Sequence, residues 1–285
     1  MKAGRAILFG SLFVFFLLFI SVIFTLVSKG SREKVALVRV EGPIVEAKTV
    51  VDEIKGYVKD TSVRAIVMRV DSPGGGVVPS QEIYDEIRKA KAIKKVVISM
   101  GSVAASGGYY ISAPADRIIA NPGTITGSIG VIMVVPNLKG LLDKVGIKTE
   151  VVKSGKNKDL ASVFRGIGED ERRIIQSVMD DVHEQFISAV AEGRKMPLDK
   201  ARQISDGRIF SGRQAIGIGL VDEIGDLDDA VKAAGKLAGI EGEPEVVSKS
   251  EKGMILKFLD GRVPEGLSHV LPDLHLKYMY YMYMP

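Results

Sequence analysis

The chain has 285 residues, 39 Lys and Arg against 35 Asp and Glu for a net charge of +4, three histidines and no cysteine. With 46% hydrophobic residues this excludes a disordered protein and allows one sizeable buried domain, while the missing cysteines exclude thiol nucleophiles, disulfides and thiolate-bound metals. His183, His269 and His275 are scattered, so no metal site is expected. Without an arginine-rich or aromatic-interleaved stripe, the mild positive charge points to an anionic membrane surface and away from nucleic acid.

Behind a short N-terminal tail, residues 1–6, positions 7 to 27 carry no charge. At about 1.5 Å per residue that run reaches roughly 31 Å, the thickness of a bilayer's hydrocarbon core. Thr25-Leu-Val-Ser-Lys29 has no small-x-small cleavage site, so residues 7–28 are expected to remain as a single membrane-spanning helix. Lys2 and Arg5 before the span nearly balance Lys29, Arg32 and Lys34 after it, and charge alone does not orient it.

Beyond the span, strands and helices alternate. Val35 to Val40 reads as a strand, residues 47–59 as a helix with Val50, Val51, Ile54 and Val58 at helical spacing, and Val63 to Val70 as a second buried strand. A helix from Val78 to Ala92 leads to a third strand, Val96 to Met100. Further strands are expected at Arg117 to Ala120, Ile129 to Val134 and Thr149 to Lys153, with a helix from Asn137 to Val145 between the last two. Glu169 to Glu192 is a long amphipathic helix whose stripe, Ile174 to Val190, is core or subunit contact, and Asp226 to Leu237 is the last helix. The pattern is an α/β fold, with a domain over 34–240 and an extension over 241–285. The Tyr- and Met-rich end, Lys277 to Pro285, reads as a disordered end, an interfacial anchor or a peptide that docks on a neighbouring subunit.

Three loops carry polar chemistry. Asp71-Ser-Pro-Gly-Gly-Gly76 follows the second strand, where Pro73 sets φ and three glycines free their amides; it is an oxyanion cradle or a plain turn. Gly101-Ser-Val-Ala-Ala-Ser106-Gly-Gly108 follows the third strand and presents Ser106 among very small neighbours, either as a nucleophile with the Gly107 amide beside it or as a tightly packed turn. Thr126-Gly-Ser128-Ile-Gly130 holds a further hydroxyl between glycines. None of the histidines lies near a loop of this core, which leaves lysine as the base for Ser106. Lys153, Lys156 and Lys158 all sit near the end of the expected strand 149–153. A lysine accepts a proton near neutral pH only when desolvation lowers its pKa from about 10.4 towards 7 to 8, a penalty on the charged form of roughly 4 kcal/mol. The site must therefore be shielded.

In that order, Asp71-Ser-Pro-Gly-Gly-Gly76, Ser102-Val-Ala-Ala-Ser106-Gly-Gly-Tyr109, Thr126-Gly-Ser-Ile-Gly130 and Lys153-Ser-Gly-Lys-Asn-Lys-Asp159 resemble the signal peptide peptidase A family in its short, single-domain form. The resemblance spans about residues 35 to 235. It implies a Clp protease/crotonase-like fold of repeated β-β-α units behind the transmembrane helix, and a serine endopeptidase acting without cofactor or metal on remnant signal peptides and other hydrophobic or unfolded segments. By motif, Ser106 is the nucleophile, Lys158 the general base and Ser128 the hydroxyl that orients the lysine amine. Gly107 and Gly75, chosen over Gly74, are the oxyanion donors. The resemblance further implies a cell-membrane protein with an extracytoplasmic catalytic domain, assembled as a homo-oligomeric ring, an octamer, in which each site takes its serine and lysine from neighbouring subunits. Two other readings are an acyl-CoA enzyme like the enoyl-CoA hydratases, which would use the oxyanion amides without a serine nucleophile and does not call for Ser106, Ser128 and Lys158, and a membrane scaffold without catalysis.

Overall fold

The computed structural model describes residues 33–249 and 280–282. The span expected at 7–28 lies outside them, and among the described residues no helix is long and apolar enough to cross a membrane.

The centre is a parallel sheet. Strand β1 (Lys34–Glu41) is followed by helix α1 (Lys48–Lys59), β2 (Val63–Ser72), the short β3 (Gly74–Gly76), α2 (Val77–Lys91), β4 (Lys95–Ala105), α3 (Gly107–Ser112), β5 (Arg117–Ala120) and β6 (Ile125–Gly127). There follow α4 (Lys139–Lys144), α5 (Glu169–Gly193), α6 (Leu198–Gln203), β7 (Ile209–Ser211), α7 (Gly212–Ile218), β8 (Glu223–Ile224), α8 (Leu227–Leu237), β9 (Glu245–Ser248) and β10 (Tyr280–Met282). β1 pairs in parallel with β2, and β2 with β4. β9, from the stretch assigned to the C-terminal extension, adds to the free edge of β1.

Continuous apolar runs appear in β1 and β2 because both faces of these strands are covered. Val35, Leu37, Ala65 and Val67 face Ala230 and Ala234 of α8, whereas Ala36, Val38, Ile66 and Met68 join the larger core with Ile54, Ile83, Ile87, Tyr109 and Phe186. The stripe on α5 divides: Val182, Phe186, Ile187 and Val190 are buried, but Ile174 and Val178 at its beginning are largely exposed.

β4 does more than complete the sheet. Its first half pairs with β5 and its second half with β6, so it feeds two branches that end in β8 and β7. Between them the β2–β4 register slips, from Val70 opposite Met100 to Ser72 opposite Ala104. Such a bulge bends a strand and re-aims the residues beyond it. Asp71 anchors it by accepting a hydrogen bond from Val103 N at 3.0 Å, and a Cβ at Gly101 would stand 2.5 Å from the Asp71 carboxyl carbon. The bend is what delivers Ser106 to its place.

Two expected strands are absent. Residues 129–134 and 149–153 are irregular, with the strand of this region lying earlier, at Ile125–Gly127. The outer edge of β6 is already taken by the antiparallel β7, and Val151 and Val152 are exposed instead of packed against a sheet. Apolar residues without a free edge to pair with do not make a strand.

Candidate active site

Ser106 stands between the end of β4 and the start of α3 with φ 52° and ψ −117°. A side-chain-bearing residue there costs of order 1–3 kcal/mol and persists only where its surroundings impose it. They do so through β6. Ala105 pairs with Gly127, and Ser106 N donates to Gly127 O at 2.8 Å. One residue further along β6, Ser128 also has a positive φ of 50°, and its N donates to Arg208 O at 2.8 Å. The β4–β6 register therefore brings the two hydroxyl residues side by side. Both line a cavity of about 290 Å³, together with Gly130, Ile132, Met179 and His183.

Behind Ser106, α3 is buried throughout. Tyr109 donates its hydroxyl to Leu220 O at 3.0 Å, and its complete burial holds the phenol pKa above the ordinary range. Gly108 lets α3 approach the end of β2, just before β3, since a Cβ there would meet Ser72 O at 2.6 Å. This contact sets the Gly74–Gly76 strand beside the serine turn.

The three glycine amides have separate fates. Gly74 N donates to Ser72 Oγ at 3.1 Å and Gly76 N to Ile44 O at 2.8 Å. Because amides alternate in direction along a strand, Gly75 N–H points to the opposite edge from Ile44. On that edge lies β10, antiparallel, with Tyr281 opposite Gly75. The backbone of residues 280–282 thus runs along the strand that carries the expected oxyanion donor, and it also lies close to α3. Gly75 itself admits no side chain, as a Cβ would sit 2.1 Å from Ile44 O.

The lysines lie elsewhere. Lys158 is exposed on an irregular segment and is not among the residues lining the Ser106 cavity. Its neighbours are tied down: Lys153 Nζ lies 2.5 Å from Asp159 Oδ1 and Lys156 Nζ 3.1 Å from Asp170 Oδ2. Among the described residues Lys158 has no side-chain ion pair or hydrogen bond. Two of the three candidate amines thus lie against carboxylates. One chain brings together Ser106, Ser128, Gly107 and Gly75, but not Lys158.

Sequence reasoning set histidine aside as remote from the loops of this core, yet His183 lines the same cavity as Ser106, and its buried Nε2 has no hydrogen-bond partner among the described residues. The signal was available in Gln176, Met179, Asp180 and His183, spaced three and four apart on one face of α5, which line that cavity together. What was hidden is that this face turns towards the serine.

The sequence profile of Peptidase family S49 matches residues 88–241, and that of Clp protease matches residues 34–123. A protein provisionally named as a protease in Synechocystis sp. is 45% identical over 213 residues, which cover 74% of this chain and 76% of that one. One provisionally named as signal peptide peptidase SppA in Enterococcus faecium is 36% identical, with 78% and 65% covered. Protease 4 of Salmonella typhi is 35% identical over 80% of this chain, which spans only 38% of its relative's length.

Proposed function

The chain belongs to peptidase family S49, and from that membership we propose that it is a serine endopeptidase, held in a cell membrane by residues 7–28, that hydrolyses remnant signal peptides and other hydrophobic or unfolded segments with Ser106 and Lys158. The catalytic domain stands on the extracytoplasmic side. The observation that carries the reading is Ser106 itself: a serine in a left-handed backbone conformation, at a strand-to-helix turn, opening on a cavity shared with Ser128.

In the proposed reaction neutral Lys158 takes the Ser106 proton as Oγ attacks a peptide carbonyl, and Ser128 orients the amine. The tetrahedral oxyanion is held by the amides of Gly107 and Gly75. Lys158 then gives its proton to the leaving amine. Water, deprotonated by the same lysine, attacks the acyl-enzyme and releases the new carboxyl end and Ser106. Lys158 is exposed in a single chain, so the dry surroundings a neutral lysine needs come from the junction with a neighbouring subunit of a homo-oligomeric ring, an octamer, and from bound peptide.

Pairing of β10 with Gly74–Gly76 supports a substrate bound as an extended antiparallel strand, the mode in which a sheet edge supplies main-chain hydrogen bonds. The chain's own end then competes with substrate. Deleting residues 278–285 is expected to lower KM for an unfolded polypeptide severalfold with kcat unchanged; an unaltered KM would remove the competition.

The test of the function is covalent. Incubation with a fluorophosphonate should add one phosphonyl group per active chain, located by peptide mass spectrometry on Ser106. Labelling at another serine, or none in protein that degrades casein, would defeat the assignment. An acyl-CoA enzyme or a scaffold would also stay unlabelled.

A further inference from the structure

Lys158 belongs to a segment, residues 146–168, with turns but no helix or strand. Local hydrogen bonds shape these turns: Lys158 N donates to Gly155 O at 3.1 Å, Leu160 N to Asn157 O at 3.1 Å and Ser162 N to Asp159 O at 3.1 Å. Turns of this kind do not determine where the segment sits on the protein. Arg165 does that. Its Nε donates to Asp159 Oδ2 at 2.9 Å, its Nη2 to Asp159 O at 3.2 Å and its Nη1 to Glu171 Oε2 at 2.7 Å, while Nη2 also reaches Glu171 Oε1. Glu171 lies in the first turn of α5 and accepts from Gly168 N at 3.1 Å. One guanidinium thus joins the residue next to Lys158 to the start of the helix whose Met179 and His183 line the Ser106 cavity.

The clamp is shielded. The Asp159 and Glu171 side chains are only 10% and 11% exposed. Arg165, with Lys153 second, holds the Asp159 carboxyl far below the usual carboxylate range, and Arg165 together with the Gly168 amide takes Glu171 down to about 2. Bidentate guanidinium–carboxylate geometry fixes direction as well as distance. We propose that Arg165 is a positioning residue for the reaction: by clamping Asp159 to α5 it sets the approach of the Lys158 amine without touching substrate.

This rests on Lys158 as the base, and the experiment separates the two. Arg165→Gln should lower kcat about ten- to a hundredfold, as expected for sub-ångström misplacement of a catalytic group, with KM within about twofold and the assembly unchanged by size-exclusion chromatography in detergent. Arg165→Lys should recover part of the loss. Asp159→Asn, nearly isosteric, should reproduce it, and the double variant should be no worse than either single one because both break one clamp. Wild-type kcat in assembled Arg165→Gln, a loss confined to KM, or fully additive losses would each overturn the proposal. If Arg165→Gln fails to assemble, Asp159→Asn decides by the same criteria. Turnover retained by Lys158→Ala would instead overturn the base assignment itself.

Discussion

Ser106→Ala is expected to lower turnover of an unfolded polypeptide by on the order of 10⁶-fold, the loss seen when a serine nucleophile is removed, with fold and assembly unchanged. Alanine keeps the Cβ and removes only Oγ, which makes no hydrogen bond among the described residues, so no buried partner is orphaned. Casein degradation in detergent, with chromatography of the assembly, reads both quantities. A variant that retains turnover sinks the serine mechanism. Ser106→Gly provides a second handle, because glycine adopts φ near 52° without a Cβ penalty. It should be equally inactive yet about 1 kcal/mol more stable than Ser106→Ala, after allowance for its extra freedom in the unfolded chain. The corresponding rise in Tm is about 2–4 °C. Equal melting temperatures would mean that the turn carries no strain.

Lys158→Ala is expected to lower turnover by on the order of 10²- to 10⁴-fold, since Ser106 then lacks a proton acceptor. Lys153→Ala and Lys156→Ala should lose far less. Their amines already face Asp159 and Asp170 at 2.5 and 3.1 Å, contacts that tie both side chains to their own segment. Lys156 and Asp170 lie on the surface, where solvent screens such a pair, so the loss of Lys156 should pass almost unnoticed. Lys153 shares Asp159 with the Arg165 clamp, and a modest decrease in kcat is expected there. Should Lys153→Ala be the inactive variant while Lys158→Ala works normally, the base assignment moves and the clamp argument falls with it.

Much of the fold was legible in the chain because its central strands are buried on both faces. Val35 to Val40 and Val63 to Val70 read as apolar runs, and the helices at 48–59, 77–91 and 169–193 were visible from their periodicity. Prediction failed at 129–134 and 149–153, where apolar residues suggested strands. Pairing is a non-local property, and β7, arriving from some eighty residues later, had taken the edge of β6. The serine turn was recognisable from its small residues, but its strain, and the register that sets Ser128 beside it, were not. The engagement of the Gly74 and Gly76 amides by Ser72 Oγ and Ile44 O could not be read from the run of glycines.

By itself the sequence determined the class of chemistry and the residues able to perform it: without cysteine, and with small residues and glycines crowded around Ser106 and Gly75, the chain's local composition restricts both the nucleophile and the backbone conformations open to it. Only the tertiary structure decided which of these groups meet. The slip in the β2–β4 register and the seating of β10 on the edge that the Gly75 amide faces arise from contacts between distant segments, and no local pattern of residues encodes where such segments cross.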